Sequence, residues 1–172
     1  MIDSRLKKFW LAELEQSANF LEQLYRSKGG NDDLEFQVEK AIFVGFYAIR
    51  KLLESKLLPT SVVSLNWKFT SYPKNKDSNE AKWIRQYNHG EGSEKQLGLE
   101  AVCNQFIHSA HFSPFVPDGT FCVGFYFASD NASKRELYYI QLVNVVSIFL
   151  SVVNEKKVKL SVQCSDNVLS AK

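Results

Sequence analysis

Residues 41–49 place the strongest constraint on the fold, because they include almost no polar side chain. Within residues 34–53 the apolar positions recur at the three- and four-residue steps of a helix, and they are Leu34, Val38, Ala41, Ile42, Gly45, Ile49, Leu52 and Leu53. Further apolar surface on the other sides comes from Phe36, Phe43, Phe46 and Tyr47. A surface helix needs only one covered face, so this pattern predicts a helix that other elements cover on several sides.

Gly45 lies in the middle of this helix, where glycine costs about 1 kcal/mol relative to alanine. Such a cost indicates that another element packs closely against the helix at this position. The start of the helix is marked by Asn31, Asp32 and Asp33, whose side-chain oxygens can accept hydrogen bonds from the free N–H groups of the first turn. The two aspartates also suit the positive end of the helix dipole.

Three more helices are predicted around it. An amphipathic pattern over residues 3–27 ends at Gly29 and Gly30, since glycine accepts the left-handed conformation that closes a helix. A third helix covers residues 97–112 and ends before Pro114 and Pro117. Residues 142–154 form a fourth, strongly apolar helix.

Alternating apolar and polar residues predict strands over residues 63–70 and 121–128. Residues 136–140 are rich in strand formers and predict a return strand that completes an antiparallel hairpin; the alternative is a helix that starts with Ser133 and Glu136 as a capping box. Residues 157–163 also alternate and form either a last strand or a tail. Residues 72–96 are mostly polar and predict a long, flexible surface loop.

These elements together predict one α+β domain over residues 1–172, a bundle of about four helices with a small antiparallel sheet or hairpin. A chain of 172 residues is a usual size for one domain. Hydrophobic residues make up 45% of it, enough to bury a core that offsets the entropy of the chain.

Charge and composition exclude several classes of partner and location. The formal charge is +2, from 21 Lys and Arg against 19 Asp and Glu. Net charge therefore does not support RNA as a partner, although a local basic patch would still allow RNA to bind. No apolar run reaches the roughly 18–20 residues that span a bilayer, so no membrane association is expected. The first residues lack a secretory signal, and the three cysteines, Cys103, Cys122 and Cys164, are predicted to be reduced core or strand residues of a cytoplasmic protein.

No motif for a cofactor or a metal is present. Gly90 and Gly92 are too few glycines for a phosphate-binding loop, and no lysine follows them at the required position. His108 and His111 are two imidazoles without an evident third ligand, so no metal site is predicted. We therefore expect the protein to work without a cofactor.

Asn104 and His108 form the one pair of polar residues that suggests chemistry. They are four residues apart in the predicted third helix and so lie on one face, opposite the apolar set of that helix. Imidazole is the commonest general acid or base in enzymes, and an amide can hold a substrate or orient the imidazole. The two residues are candidate catalytic residues.

The segment from Cys103 to His108 resembles the HEPN family of small helical bundles, whose signature is an arginine, often followed by asparagine, with a histidine four to six residues further on. The resemblance covers this hexapeptide and a general pattern of four long helices. It implies a ribonuclease site that needs no metal and that dimerisation completes. Asn104 matches the polar position and His108 the histidine of that signature.

Cys103 stands where the family has its arginine, and this departure affects the implied chemistry. A neutral thiol cannot stabilise the charge that develops on a cleaved phosphate, and the loss of such a stabiliser typically costs about 3–4 kcal/mol of barrier height. Arg50 or Arg85 would have to supply that charge from another element. The alternative interpretation is structural, in which Asn104 and His108 bind each other, a loop carbonyl or water.

A second set of candidates consists of aromatic and cationic residues that could bind a ligand or a partner: Trp67, Trp83, Arg85, Tyr87 and His111. For the aromatic members the competing interpretation is that they anchor a loop or belong to the core. Lys156, Lys157 and Lys159 form a basic cluster that is more typical of a solvated face.

Three functions are compatible with these patterns. The preferred one is a non-catalytic, intracellular protein-interaction or regulatory module, HEPN-like in fold, that binds a protein partner or forms a homo-oligomer, because apolar faces left over after core formation favour association. The first alternative is a metal-independent ribonuclease that uses His108 and Asn104. The second is a small-molecule-sensing domain with a pocket lined by Trp67, Phe125 and Tyr126.

Overall fold

The computed structural model of the chain describes residues 4–24, 32–76, 78, 80–117 and 121–154. They form five helices and one five-stranded antiparallel sheet. The helices are α1 (Lys7–Leu24), α2 (Asp32–Glu54), α3 (Thr60–Val63), α4 (Leu99–Ile107) and α5 (Leu142–Val153). The strands are β1 (Asn66–Pro73), β2 (Ser93–Gly98), β3 (Ser109–Phe115), β4 (Gly124–Ser129) and β5 (Glu136–Gln141).

The strand order in the sheet is β2-β1-β5-β4-β3, so β2 and β3 are the two edges. The chain crosses from the first edge to the second through α4, which follows β2 and precedes β3. The last three strands form a continuous antiparallel meander. The protein is therefore α+β as predicted, but a bundle of about four helices is not confirmed, because five helices pack in layers with an extensive sheet.

The helices cover one face of the sheet. Phe125 and Phe127 of β4 point toward them and are fully buried, and Phe127 stacks on Phe106 of α4 with ring centroids 4.1 Å apart. Phe106 in turn stacks on Phe46 of α2, at 4.0 Å. Helix α4 is thus the middle layer between the sheet and α2, and α1 packs along α2 and α5 on the outside.

The central helix predicted over residues 34–53 is confirmed as α2. Ile42, Phe46 and Ile49 have no exposed surface, as expected for a helix that is covered on several sides. Two of its aromatic residues nevertheless face solvent, since Phe36 is 60% exposed and Tyr47 is 44% exposed.

The close approach predicted at Gly45 is also confirmed. The ring tip of Phe149 in α5 lies where a side chain on Gly45 would be, and Phe149 is itself fully buried. The same ring makes an edge contact with Phe46, with centroids 5.1 Å apart. Glycine at this position therefore allows α5 to reach the centre of α2.

Several predicted boundaries are wrong. The helix predicted over residues 97–112 ends at Ile107, and residues 109–115 form the edge strand β3, in which Phe112 pairs with Phe127. Strand β1 begins at Asn66, because Val63 ends the short helix α3. The loop predicted over residues 72–96 is shorter, since β1 extends to Pro73 and β2 begins at Ser93.

Other predictions hold where the structure describes them. Strands β4 and β5 form the expected hairpin, although β4 begins at Gly124 and not at residue 121. This pairing excludes the helix starting at Ser133, and α5 is present. Cys103 and Cys122 are free and buried. Gly29, Gly30, Cys164 and the predicted strand or tail over residues 157–163 lie outside the described residues. In the described part of the chain, no helix combines the length and apolar character needed to cross a membrane.

Replacing Gly45 with alanine tests the contact with α5. The added Cβ would overlap the buried ring of Phe149, and overpacking of this kind costs about 1–3 kcal/mol, more than the roughly 1 kcal/mol gained in helix propensity. We expect Gly45→Ala to lower the free energy of unfolding measured by urea denaturation, and Phe149→Leu in the same chain to recover part of the loss. Gly98→Ala is the control, because its Cβ would meet only Asn66 at an ordinary 3.6 Å. A stabilised Gly45→Ala variant would contradict the tight packing.

Candidate functional site

Asn104 is held by an arginine from another helix. Its side-chain Oδ1 accepts a hydrogen bond from Nη1 of Arg50, which lies on α2. Helices α2 and α4 pack side by side, and this brings residues that are 54 positions apart into contact. Arg50 is one of the two arginines expected to substitute for the missing family arginine.

The charge of Arg50 is already compensated by two carboxylates. Its Nε donates to Oε1 of Glu54 at 2.8 Å, and its Nη1 lies 3.7 Å from Oε1 of Glu100. The hydrogen bond with Glu54 raises the pKa of Arg50 and, on the other side, lowers the pKa of Glu54. Glu54 also pairs with the ammonium of Lys51 at 3.4 Å, so two cations face two carboxylates. The positive charge of Arg50 is therefore already neutralised, which disfavours binding of a phosphate group.

His108 lies at the end of α4 and faces solvent. It is the C-cap residue, with φ −104° and ψ 29°, and its backbone N–H donates to the carbonyl of Asn104. Its own carbonyl accepts from the N–H of Asp130 at 3.0 Å. Within the described residues no hydrogen bond joins the side chains of Asn104 and His108, so the predicted pair is adjacent along the helix but not linked.

Cys103 is unsuited to the role of the family arginine. Burial raises the pKa of its thiol to about 12, so the thiol stays protonated and uncharged at neutral pH. The residue belongs to the core between α4 and its neighbours.

Three of the predicted binding residues meet on the face of the sheet that the helices leave open. Trp83 stacks on His111 with centroids 4.6 Å apart and ring planes at 3°, and Tyr87 approaches the same imidazole edge-on at 6.4 Å. Tyr87 is 2% exposed and donates its hydroxyl to the carbonyl of Ser133 at 2.8 Å. These contacts anchor the segment around Trp83 and Tyr87 to the sheet, as the loop-anchoring interpretation predicts.

Arg85 and Trp67 do not join this group in the same way. Arg85 is exposed and shares a short 3-10 turn with Trp83. Trp67 lies on β1 two residues from Phe69, which contacts Phe127, so it belongs to the helix-covered side of the sheet. Its buried Nε1 has no hydrogen-bond partner in the structure.

The pocket expected from Trp67, Phe125 and Tyr126 is not formed. Phe125 and Tyr126 are consecutive residues of β4, and successive side chains of a strand point to opposite faces. Phe125 accordingly contacts the core, whereas Tyr126 lies with Tyr72 and Tyr139 on the open face.

This open face carries an aromatic cluster that the sequence patterns did not predict. We call it the open-face cluster; its rings lie 4.8 to 6.1 Å from their neighbours and belong to Tyr72, His89, Phe115, Tyr126 and Tyr139. The rings come from separate segments of the chain, and only the strand register brings them together. The alternation within each strand was visible in the sequence, but the pairing partners were not.

The hydroxyl groups of Tyr126 and Tyr139 stay uncharged at neutral pH. Burial raises the pKa of Tyr126 to about 12 and also raises the pKa of Tyr139. Two glycines make room for the rings, since a Cβ on Gly92 would lie 2.7 Å from the ring of Tyr72, and one on Gly124 would collide with Tyr139. The cluster therefore offers flat aromatic surface together with neutral hydrogen-bonding groups.

An apolar groove continues from Tyr139 toward the helices. Its volume is about 580 Å³, and its lining includes Leu21 of α1, Val123, and Val143 and Val146 of α5. Val143 is 57% exposed, so part of the apolar face of α5 remains uncovered by the described residues.

A half-buried carboxylate on the other face has hydrogen-bond partners for both of its oxygens. Glu136 of β5 accepts from the hydroxyls of Ser71 at 2.5 Å and Tyr138 at 2.9 Å, and from the ammonium of Lys95. Burial alone would raise its pKa, but the three hydrogen bonds outweigh that effect and hold the pKa below its ordinary value. We interpret the role of Glu136 as structural, because its hydrogen bonds link β5 to Ser71 of β1 and to Lys95 of β2.

No metal centre is evident in the described part of the chain, where no three His, Cys, Asp or Glu side chains come together in a way that could hold an ion. Comparisons of the chain with protein-family models, with curated proteins and with solved structures found no match.

The stacking of Trp83 on His111 predicts an altered titration. Burial lowers the pKa of His111 below its ordinary value of about 6.5, so we expect Trp83→Ala to move the pKa back up, as measured by NMR titration of the imidazole. Because the folded state disfavours the charged form, His111 contributes stability above about pH 6.5, and the contribution disappears as the pH falls through the lowered pKa. Trp10→Ala is the control, since Trp10 contacts Tyr47 on α2. An unchanged titration in Trp83→Ala would contradict the shielding by the indole.

Proposed function

We propose that the chain is a non-catalytic protein-interaction or regulatory module that binds its partner with the open-face cluster. The observation that carries this proposal is the series of ring contacts from Tyr72 through Tyr126 to Tyr139, which also lines the groove beside Val143. Folded monomers rarely expose large contiguous apolar patches, and patches of this kind are typical of binding sites. The buried, free thiols of Cys103 and Cys122 support a reducing, cytoplasmic setting for such a module.

The composition of this surface favours a protein partner. Tyrosine and phenylalanine are enriched at the centres of protein interfaces, where tyrosine adds a hydrogen-bonding hydroxyl to its apolar ring. Phe115 is 37% exposed and Val116 is 40% exposed at the rim of the cluster. These side chains would become buried in a complex without any rearrangement of the sheet.

The edges of the sheet are less suited to binding than its open face. Strand β2 exposes the charged residues Glu94 and Lys95, and charged edge strands resist pairing with another chain. Strand β3 contains Pro114, which has no N–H, and its register shifts between Ser109 and His111. The charged residues of β2 and the proline and register shift of β3 both disfavour the addition of a strand from a partner. Side-chain packing on the open face is therefore the favoured way to bind a partner.

A second copy of the chain is the partner we propose. Lys68 and Glu94 form a 3.0 Å salt bridge on the open face beside the cluster. A surface with one positive and one negative group is self-complementary under two-fold symmetry, because each lysine can meet the glutamate of the other copy. The HEPN-like resemblance of the sequence also implies a dimer.

Introducing a negative charge into the open-face cluster should abolish self-association. We expect the wild-type chain to form a dimer in light scattering coupled to size-exclusion chromatography. Phe115→Asp should be a monomer, because burying an unpaired carboxylate in an apolar interface is strongly unfavourable. Phe36→Asp is the matched control, since Phe36 is an exposed aromatic residue on α2, away from the sheet.

Two outcomes would contradict this proposal. A wild-type chain that stays monomeric at every concentration would exclude the second copy as partner. A dimer that Phe36→Asp disrupts and Phe115→Asp does not would move the interface to the helices.

A metal-independent ribonuclease is the second candidate, and the contact between Arg50 and Asn104 favours it. Arg50 supplies from α2 the cation that the position of Cys103 lacks, and His108 is exposed one turn further along. His108 would then act as general acid or base, with Asn104 in support. Against this candidate stand Glu54 and Glu100, which neutralise the guanidinium that a phosphate would need.

Cleavage of single-stranded RNA in the presence of EDTA tests this candidate. If it is correct, wild-type protein cleaves, whereas His108→Ala and Arg50→Ala each lower the rate about 100-fold or more, because both an acid or base and a charge stabiliser contribute factors of that order. His89→Ala is the control, since that histidine lies on the other side of the sheet in contact with Tyr72. The absence of cleavage by wild-type protein across a panel of RNAs would end this hypothesis.

A further inference from the structure

The cations of this protein are distributed unevenly. Several cations elsewhere in the chain are paired with carboxylates, namely Arg50, Lys51, Lys68 and Lys95. A second group of cations lies at one end of the sheet, and we call it the basic end. Its members come from the described residues of two segments, 74–86 without 77 and 79, and 130–135, and they are Lys74, Lys76, Lys82, Arg85, Lys134 and Arg135. Among the described residues no salt bridge neutralises any member of the basic end.

Backbone hydrogen bonds bring the two segments together. The N–H of Lys74 donates to the carbonyl of Arg135 at 2.8 Å, and the N–H of Asn75 donates to the carbonyl of Gln86 at 2.9 Å. This arrangement follows from the antiparallel pairing of β1 and β5, because Pro73 at the end of β1 lies opposite Glu136 at the start of β5. Cations that are about 60 residues apart in the sequence are therefore neighbours in the fold.

The net charge of the whole chain conceals this concentration. The two segments hold six basic residues and three acidic ones, Asp77, Glu80 and Asp130, whereas the formal charge of the full chain is only +2. The remainder of the chain is thus close to neutral, and the positive potential is local. Local potential, rather than net charge, determines where an anion binds.

An aromatic platform lies within the basic end. Trp83 is half-buried, with one face of its indole stacked on His111, and it shares a 3-10 turn with Arg85. Lys74 lies 5.7 Å above the ring of Tyr87 and donates to the carbonyl of Ser133, so this part of the platform is rigid. The indole is held by His111, and Lys82 and Arg85 are its near neighbours in the chain, so a surface for stacking and positive charge occur in the same short turn.

We propose that the basic end binds single-stranded nucleic acid. Unpaired lysine and arginine side chains would contact successive phosphates, and a base would stack on the exposed part of Trp83. An acidic peptide could use the same charges but has no flat base to place on the indole, so the aromatic platform favours the nucleic acid. This site lies at the end of the sheet and is independent of the protein-interaction surface proposed above.

Fluorescence anisotropy with a labelled oligouridylate of about 12 nucleotides tests this proposal. We expect saturable binding by the full chain that weakens with salt, with a slope of log K against log salt of about −0.7 per phosphate contacted. The double variant Lys82→Glu, Arg85→Glu should bind at least about tenfold more weakly at low salt and show a shallower slope. Lys134→Glu reverses a charge in the other segment, residues 130–135, and should also weaken binding.

Two control variants make the result specific. Lys40→Glu reverses an exposed lysine on α2, far along the chain from the basic end, and should leave the affinity unchanged. Trp83→Leu keeps all the charges but removes the platform, and a lost base stack should weaken binding about tenfold; Trp10→Leu should not. Thermal unfolding of each variant shows whether the fold is retained.

Three results would overturn the proposal. The first is no binding of the oligouridylate by wild-type protein at low salt. The second is equal loss of affinity in Lys40→Glu and in the double variant, which would mean unspecific attraction. The third is displacement of the oligouridylate by polyglutamate of equal charge together with unchanged affinity in Trp83→Leu, which would identify an acidic protein segment as the ligand.

Discussion

The stack of Phe46, Phe106 and Phe127 is the interaction on which the rest of the structure depends. Its three rings come from α2, α4 and β4, all are fully buried, and the centroids are 4.0 and 4.1 Å apart. This stack fixes α4 between α2 and the sheet. Because α4 also connects the two edge strands, its position determines which face of the sheet is covered and which remains open.

The unequal faces of the sheet explain where binding can occur. The helix-covered face is filled by the core and by the hydrogen-bonded carboxylate of Glu136, so its polar groups are largely satisfied. The open face is covered only in part, by the segment that Trp83 and Tyr87 anchor. The aromatic surface that remains and the unpaired cations at its end are therefore the features with interactions left to make.

The candidate site was predictable in part. Sequence spacing identified Asn104 and His108 and named Arg50 as a source of positive charge, but contact between Arg50 and Asn104 depends on how α2 packs on α4. Trp83, Tyr87 and His111 were recognised one by one, and the stack they form depends on a loop returning to the sheet. Of the open-face cluster the sequence singled out only Tyr126, and for a pocket that is not formed, because strand register is a property of paired strands and not of any single segment.

The sequence by itself determined the helices α1, α2 and α5, the hairpin of β4 and β5, and the tight packing at Gly45. The apolar periodicity of an element and the low helix propensity of a glycine can both be read from neighbouring residues. Only the tertiary structure decided that residues 109–115 form strand β3 and do not continue helix α4. Apolar spacing there suits a helix as well as a strand, and pairing of Phe112 with Phe127 selects the strand. Long-range strand pairing also assembled both proposed binding surfaces, through β1, β3, β4 and β5 for the open-face cluster and through β1 and β5 for the basic end. For that reason neither arrangement was visible in the sequence.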